Sequence, residues 1–195
     1  MYRGPAIDDR DILARVPGDL AAFLEAANGY VAFAGGFHVR GACLSPDWHA
    51  LRTAWEGPLA LHVLYENVQT TDCPFAEDAL GDQYLIRDGS IIRLDGETGD
   101  VSVFAPDLLT FDAAVRADPI GYLNLAPLER FRADGGSLES GQLLSVYPPF
   151  CMAESADGVS YRAIGNLDRR RSLAALAAQI RAVPDGTPIE IVVRE

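Results

Sequence analysis

The chain has 195 residues, 49% hydrophobic and 23% charged, which suits a single domain with at most a modest appendage. Its formal charge is −12 and all 16 basic residues are arginine, so chemistry that needs a lysine (a P-loop, a Schiff base, the strand lysine of protein kinases) is excluded. The acidity repels phosphate backbones, arguing against nucleic acid as a partner and for a basic protein, and no apolar run approaches the ~18 residues that a membrane span needs.

The N-terminal "MYRGPAIDDRDILARV" has no basic region followed by an apolar one, so a cytoplasmic protein without a secretory signal is expected. Cys43, Cys73 and Cys151 are odd in number and widely spaced, which predicts buried thiols rather than a disulfide framework. Ile12, Leu13 and Val16 suggest a short first helix. "PGDLAAFLEAANG" predicts a second, with Leu20, Phe23, Leu24 and Ala27 on one face, Asp19 near its start and Asn28-Gly29 as the stop. "GGFHVRGACL" reads as a strand entered from a glycine pair. "SPDWHALRTAW" reads as a helix with Ser45 as N-cap and Pro46 at its first position. In "LALHVLY", Leu59, Leu61, Val63 and Tyr65 alternate, predicting a second strand.

The stretch "GDQYLIRDGSIIRLDGETGDVSVFAPDL", residues 81–108, is the densest in turn signals. Residues 83–87 and 90–94 are β-rich and separated only by Asp88-Gly89, which suits a two-residue type I′ hairpin. "DGETG" then joins the second run to "DVSVF" across five residues that include two glycines, predicting a three-stranded meander with its acids in the turns.

"PDLLTFDAAVRAD" predicts a helix with Leu108, Phe111 and Val115 near one face, stopped by Pro119, and "APLERFRADGG" a shorter one with Leu128 and Phe131 inward. Residues 142–152 read as extended and interrupted by Pro148-Pro149. "SLAALAAQIRAV" predicts a helix capped by Ser172, with Leu173, Leu176, Ala177 and Ile180 on one face. Pro184-Asp185-Gly186 then turns the chain into a strand over "TPIEIVV". Strands and helices are segregated rather than alternating, so the expected fold class is α+β: a mainly antiparallel sheet with a central meander and helices packed on one side.

Catalytic templates find little purchase. "DGETGD" lacks the ligand spacing of a calcium loop. His38, His49 and His62 fall at no paired-ligand spacing. "DGVSYR" lacks the closing glycine of a nucleophile elbow, and no G-x-G-x-x-G follows a strand. Neighbouring carboxylates such as Glu77-Asp78 can serve acid–base work but usually sit solvated on loops. The expectation is a protein without catalysis, metal or cofactor. The competing reading is a hydrolase or metalloenzyme assembled from His62, Asp72, Cys73 and nearby carboxylates.

Acid is concentrated: from Glu66 to Asp118 twelve Asp or Glu face only Arg87, Arg93 and Arg116, a local balance of −9. The order of the segments also resembles a known superfamily. "PGDLAAFLEAANG" is similar to the motif that opens the SUKH superfamily (the Smi–Knr cell-wall regulator group). "EDALGDQYLIRDGSIIRLDGETGDVSVFAPDLLTF" is similar to its middle signature, with the "ETG" kept at Glu97, Thr98 and Gly99 and an aromatic at Phe111. "LAPLERFRADGGSLESGQLLSVYPPF" and "SLAALAAQIRAVPDGTPIEI" resemble the tail of a longer bacterial subgroup. Ala79-Leu80-Gly81 replaces the usual phenylalanine-glycine pair, Phe131 or a neighbour stands for the usual tryptophan, and the lysine before the Pro-Phe is missing.

That resemblance implies one SUKH-like domain over residues 1–195, with 119–195 an extension packed onto it, that binds other proteins and catalyses nothing. Many bacterial members look like immunity proteins that neutralise toxins, often nucleases; a regulatory adaptor acting on the cell's own proteins is the alternative. The expected partner surface is an exposed carboxylate rim of Asp72, Glu77, Asp78, Asp82, Asp88, Asp95 and Glu97. It would surround the aromatic anchors Tyr65, Phe75 and Tyr84.

Overall fold

The computed structural model describes residues 2–187 apart from 182 and 185. Seven strands form one antiparallel sheet in chain order: β1 (Tyr2–Arg3), β2 (Tyr30–Ala32), β3 (Phe37–Val39), β4 (Cys73–Asp78), β5 (Gln83–Arg87), β6 (Ser90–Leu94) and β7 (Val101–Ala105). The first helices are α1 (Arg10–Leu13), α2 (Gly18–Ala26), α3 (Leu51–Trp55) and α4 (Leu61–Leu64). After the sheet come α5 (Leu108–Ala117), α6 (Pro119–Tyr122) and α7 (Ala126–Ala133). A separate antiparallel ribbon of β8 (Gln142–Tyr147) and β9 (Ser160–Gly165) leads into α8 (Asn166–Ile180). The fold is α+β.

The meander is present with the predicted turns. Asp88 and Gly89 both take positive φ, 50° and 84°, and the register runs from Arg87↔Ser90 to Gln83↔Leu94, as a type I′ hairpin requires. In the second turn Asp95 accepts N–H bonds from Glu97 and Thr98, each 2.9 Å, and Gly99 closes it at φ 78°. An aspartate beside two glycines is turn chemistry here.

Helices cover both faces of the sheet, not one. Tyr84, Ile86 and Ile91 pack with Leu20, Leu24, Phe111 and Val115, whereas Leu85, Ile92 and Leu94 pack with Leu61, Tyr65, Ala174 and Ala177. The reason is visible in β5: Tyr84, Leu85 and Ile86 are consecutive apolar residues, so each side of the strand must be shielded from water. The first core holds an aromatic cluster in which Phe111 lies 5.2–6.1 Å from the rings of Phe37, Phe75, Tyr84, Phe104 and Tyr122.

Several segments depart from expectation. The helix expected from Ser45 begins only at Leu51, because Gly41 donates to the His49 carbonyl and accepts from Leu51 N–H, drawing residues 49–51 into a bridge beside β3. The expected strand over residues 59–65 is replaced by α4 (Leu61–Leu64): Leu61, Leu64 and Tyr65 recur at helical spacing toward the second core, while Val63 faces outward, 60% exposed. Pro119 opens α6 rather than merely ending α5, with Asp118 capping it through Gly121 N–H. The last helix starts at Asn166, not Ser172, whose hydroxyl donates back to the Arg169 carbonyl. Strands β1, β2, β4 and β9 carried no recognised signal. Beyond Thr187, the strand expected over "TPIEIVV" lies outside the described residues.

Candidate functional site

All six residues of β4, "CPFAED", are buried, and this overturns much of the expected rim. Asp72 receives Arg87 Nε and Nη2 at 2.8 and 2.6 Å. Asp78 Oδ1 accepts N–H bonds from Leu80, Gly81 and Asp82 at 3.0–3.2 Å, and its Oδ2 accepts the Tyr84 hydroxyl. Asp82 pairs with Arg93 and accepts Gly96 N–H at 2.9 Å. Burial raises the carboxyl pKa of Asp78 and of Asp82; the charge of Asp82 pushes Asp78 up further, and Arg93 opposes both shifts. An arginine or a turn amide within reach turns each of these acids inward.

The expected anchors are core residues as well. Phe75 and Tyr84 belong to the aromatic core, and Tyr65 belongs to the second one, its hydroxyl donating to the Gly96 carbonyl at 3.1 Å. Only Asp88, at its hairpin tip, is exposed; Asp95 and Glu97 are half-buried.

Glu77 is the centre of a buried polar cluster. Its Oε2 accepts from Arg40 Nη2 at 2.7 Å and Gln83 Nε2 at 3.1 Å, and lies 3.7 Å from Arg170 Nη2. Its Oε1 accepts from Asn166 Nδ2 at 2.8 Å and meets His38 Nδ1 at 2.8 Å. The two arginines and His38 hold this carboxylate well below the usual range in spite of burial, which acts the other way. Nothing in the spacing of these residues announced the cluster, since its members come from β3, β4, β5 and α8.

Beside Asp82 a cleft of about 370 Å³ opens between the meander, α7 and the β8–β9 ribbon. Asp82, Arg93, Asp95 and Glu97 form one side, Arg130 of α7 another, and Leu80, Phe150 and Tyr161 supply apolar walls. Glu97 Oε2 accepts the Cys151 N–H at 2.8 Å, which ties the 148–159 loop to the "DGETG" turn, and its Oε1 lies 3.9 Å from Arg169. In this loop Phe150 is 41% exposed. Asp100, Glu154 and Asp157, on the two loops that border the cleft, are exposed. Of the residues singled out in the sequence, this place gathers Asp82, Asp95 and Glu97. Phe150, Tyr161 and Arg130 were not foreseen, although Phe150 follows the Pro148-Pro149 pair that ends β8.

Cys43 and Cys73 are buried, and burial pushes their thiols up to about 11 and about 12. Cys151 is exposed, against expectation. Asp72, bound by Arg87, and Cys73, a buried thiol, are poor candidates for a reactive pair. Among the described residues no group of three or more His, Cys, Asp and Glu is arranged to hold a metal, and no helix is long and apolar enough to cross a membrane.

No family model matches the chain, and no curated protein matches it. Among solved structures it is similar to the crystal structure of Atu4351 from Agrobacterium tumefaciens, with a TM-score of 0.53 over 94% of this chain and 86% of that one, at 14% identity. At that identity the likeness concerns the fold alone.

Proposed function

We propose that this chain is a non-catalytic, SUKH-like immunity protein of the cytoplasm that binds and neutralises a basic toxin, and that the toxin docks over the Asp82–Glu97 cleft. The observation that carries the reading is the join between Glu97 and Cys151. It sets the exposed Phe150 beside two loops whose exposed side chains include Asp100, Glu154 and Asp157. An apolar centre with a carboxylate margin is the arrangement that anchors a partner while steering a basic one. The anchor is thus Phe150, in place of the core residues Tyr65, Phe75 and Tyr84. The margin is Asp100, Glu154 and Asp157, in place of Asp72, Glu77 and Asp78. The net charge of −12 extends the same attraction over the whole molecule.

The test is to look for a toxin gene beside this one and to co-express its toxin domain with the chain. Growth restored by the chain, and lost again with Phe150→Ala in a variant that still folds, supports the reading. A toxin left active by the wild-type chain, or the absence of any toxin gene beside it, argues for an adaptor instead.

A further inference from the structure

His38 and His49 lie outside the cleft in a buried row of contacts. His49 Nε2 is 3.0 Å from the Asn28 carbonyl oxygen, His49 Nδ1 is 2.9 Å from His38 Nε2, and His38 Nδ1 is 2.8 Å from Glu77 Oε1. Both ends of the row are acceptors: a backbone carbonyl, and a carboxylate that already takes N–H bonds from Arg40, Gln83 and Asn166. Three such contacts need three protons, and two neutral imidazoles bring two. The oxygens at the ends claim those two. The middle nitrogens then face each other lone pair to lone pair at 2.9 Å, which is the length of a hydrogen bond.

The surroundings are built to hold His49 in place. A Cβ on Gly4, Gly29 or Gly41 would come within 2.5–2.7 Å of a His49 ring atom, so only glycine lets these three backbones approach the ring. Trp48 stands 5.2 and 5.4 Å from the rings of His38 and His49, and Tyr2 stands 5.1 Å from His49; π systems at this range tolerate a cation. Glu77 supplies negative charge. Against an added proton stand burial and the two cations Arg40, beyond β3, and Arg170, on α8. Gln83 and Asn166, which also face Glu77, do not titrate.

We propose that His38 and His49 together bind one proton, shared along the Nε2···Nδ1 axis, which closes the chain from Asn28 to Glu77 and holds the Trp48–His49 turn against β3 and β4. A second proton has no place, since it would set N–H against N–H. The turn is the element that responds, because Trp48 accepts from Asn166 on α8 and His49 accepts from Gly41. Burial places the uptake on the acid side of an ordinary histidine.

The experiment is a pH titration of the full chain with 15N-labelled histidines. The ring nitrogens are followed together with the Trp48 indole signal and the backbone amides. The expected result is a single joint transition of the His38 and His49 rings, on the acid side of a free imidazole and amounting to one proton for the two rings. The Trp48 signal should move with the same midpoint while the amide spectrum stays native. Independent uptake of one proton by each ring would overturn the proposal. So would no uptake before the amide spectrum is lost, or a Trp48 signal that ignores the transition.

Discussion

Asn166, the first residue of α8, donates its Nδ2 to Glu77 Oε1 on β4 at 2.8 Å, although 89 residues separate the two. With Arg170 3.7 Å from the other oxygen of the same carboxylate, this contact fastens the C-terminal helix to the middle of the sheet. Glu77→Gln keeps the shape but leaves Arg40 and Arg170 buried without their counter-charge, so urea unfolding should show a loss of about 3–5 kcal/mol. Asn166→Ala removes one hydrogen bond to a charged group and should cost about 1.5–3 kcal/mol. Equal effects from the two changes would contradict the central place given to Glu77.

Asp78 is a turn-former whose burial disfavours its charge. Its Oδ1 serves three backbone N–H groups, a task that an amide oxygen performs as well. Asp78→Asn should therefore stay within ~1 kcal/mol of the parent at neutral pH, whereas Asp78→Ala should lose about 1–3 kcal/mol by stranding those amides. Thermal unfolding of the two variants side by side is the check.

Phe111 is completely enclosed by five aromatic rings and the α2–α5 packing. Phe111→Ala should cost about 3–5 kcal/mol, readable as a drop in the denaturant midpoint with the slope unchanged. The loss should not depend on salt, since no charge is involved.

The pH dependence of stability follows from the same buried cluster. Burial holds His49 down at about 4, against 6.5 for a free histidine, with His38 and Arg40 adding to the effect. The unfolded chain therefore binds this proton first. The contribution is fully present above about pH 6.5 and is lost as the pH falls toward 4. Glu77, held well below the ordinary carboxylate range, works in the same direction at lower pH, whereas the raised Asp78 works against it. In His49→Gln the stability lost between pH 6.5 and 4 should shrink, provided the variant is folded at neutral pH. An unchanged slope would contradict the assignment.

The meander was legible because its information is local: Asp88-Gly89 and "DGETG" dictate backbone angles through their own residues. Strand β4 was not, because "CPFAED" looks like an acidic loop until Arg40 and Asn166 arrive from distant parts of the chain, and Gln83 from the next strand, to meet Glu77. The same blindness hid the start of α8: three consecutive arginines carry no helix signal of their own, yet Arg169 and Arg170 point inward, the first donating to the Leu80 carbonyl, the second facing Glu77. Alternation misled at residues 59–65, since Leu61, Leu64 and Tyr65 fit a helix as well as Leu59, Leu61 and Val63 fit a strand. Half of the cleft was visible, namely Asp95 and Glu97 in their turn. Its apolar half depends on a ribbon whose second strand, β9, has no distinctive pattern of its own.

The central claim is that a basic protein partner docks at the cleft beside Phe150, and binding kinetics against a toxin domain that the chain neutralises test it most directly. Phe150→Ala should raise the dissociation rate tenfold or more, a cost above ~1.4 kcal/mol. The Asp100→Ala, Glu154→Ala double variant, which removes two exposed carboxylates, should mainly slow association and flatten its salt dependence. Val63→Ala, at a still more exposed position on α4, should change neither rate. A dissociation rate untouched by Phe150→Ala, or an association rate indifferent both to salt and to the loss of the two carboxylates, would contradict the account.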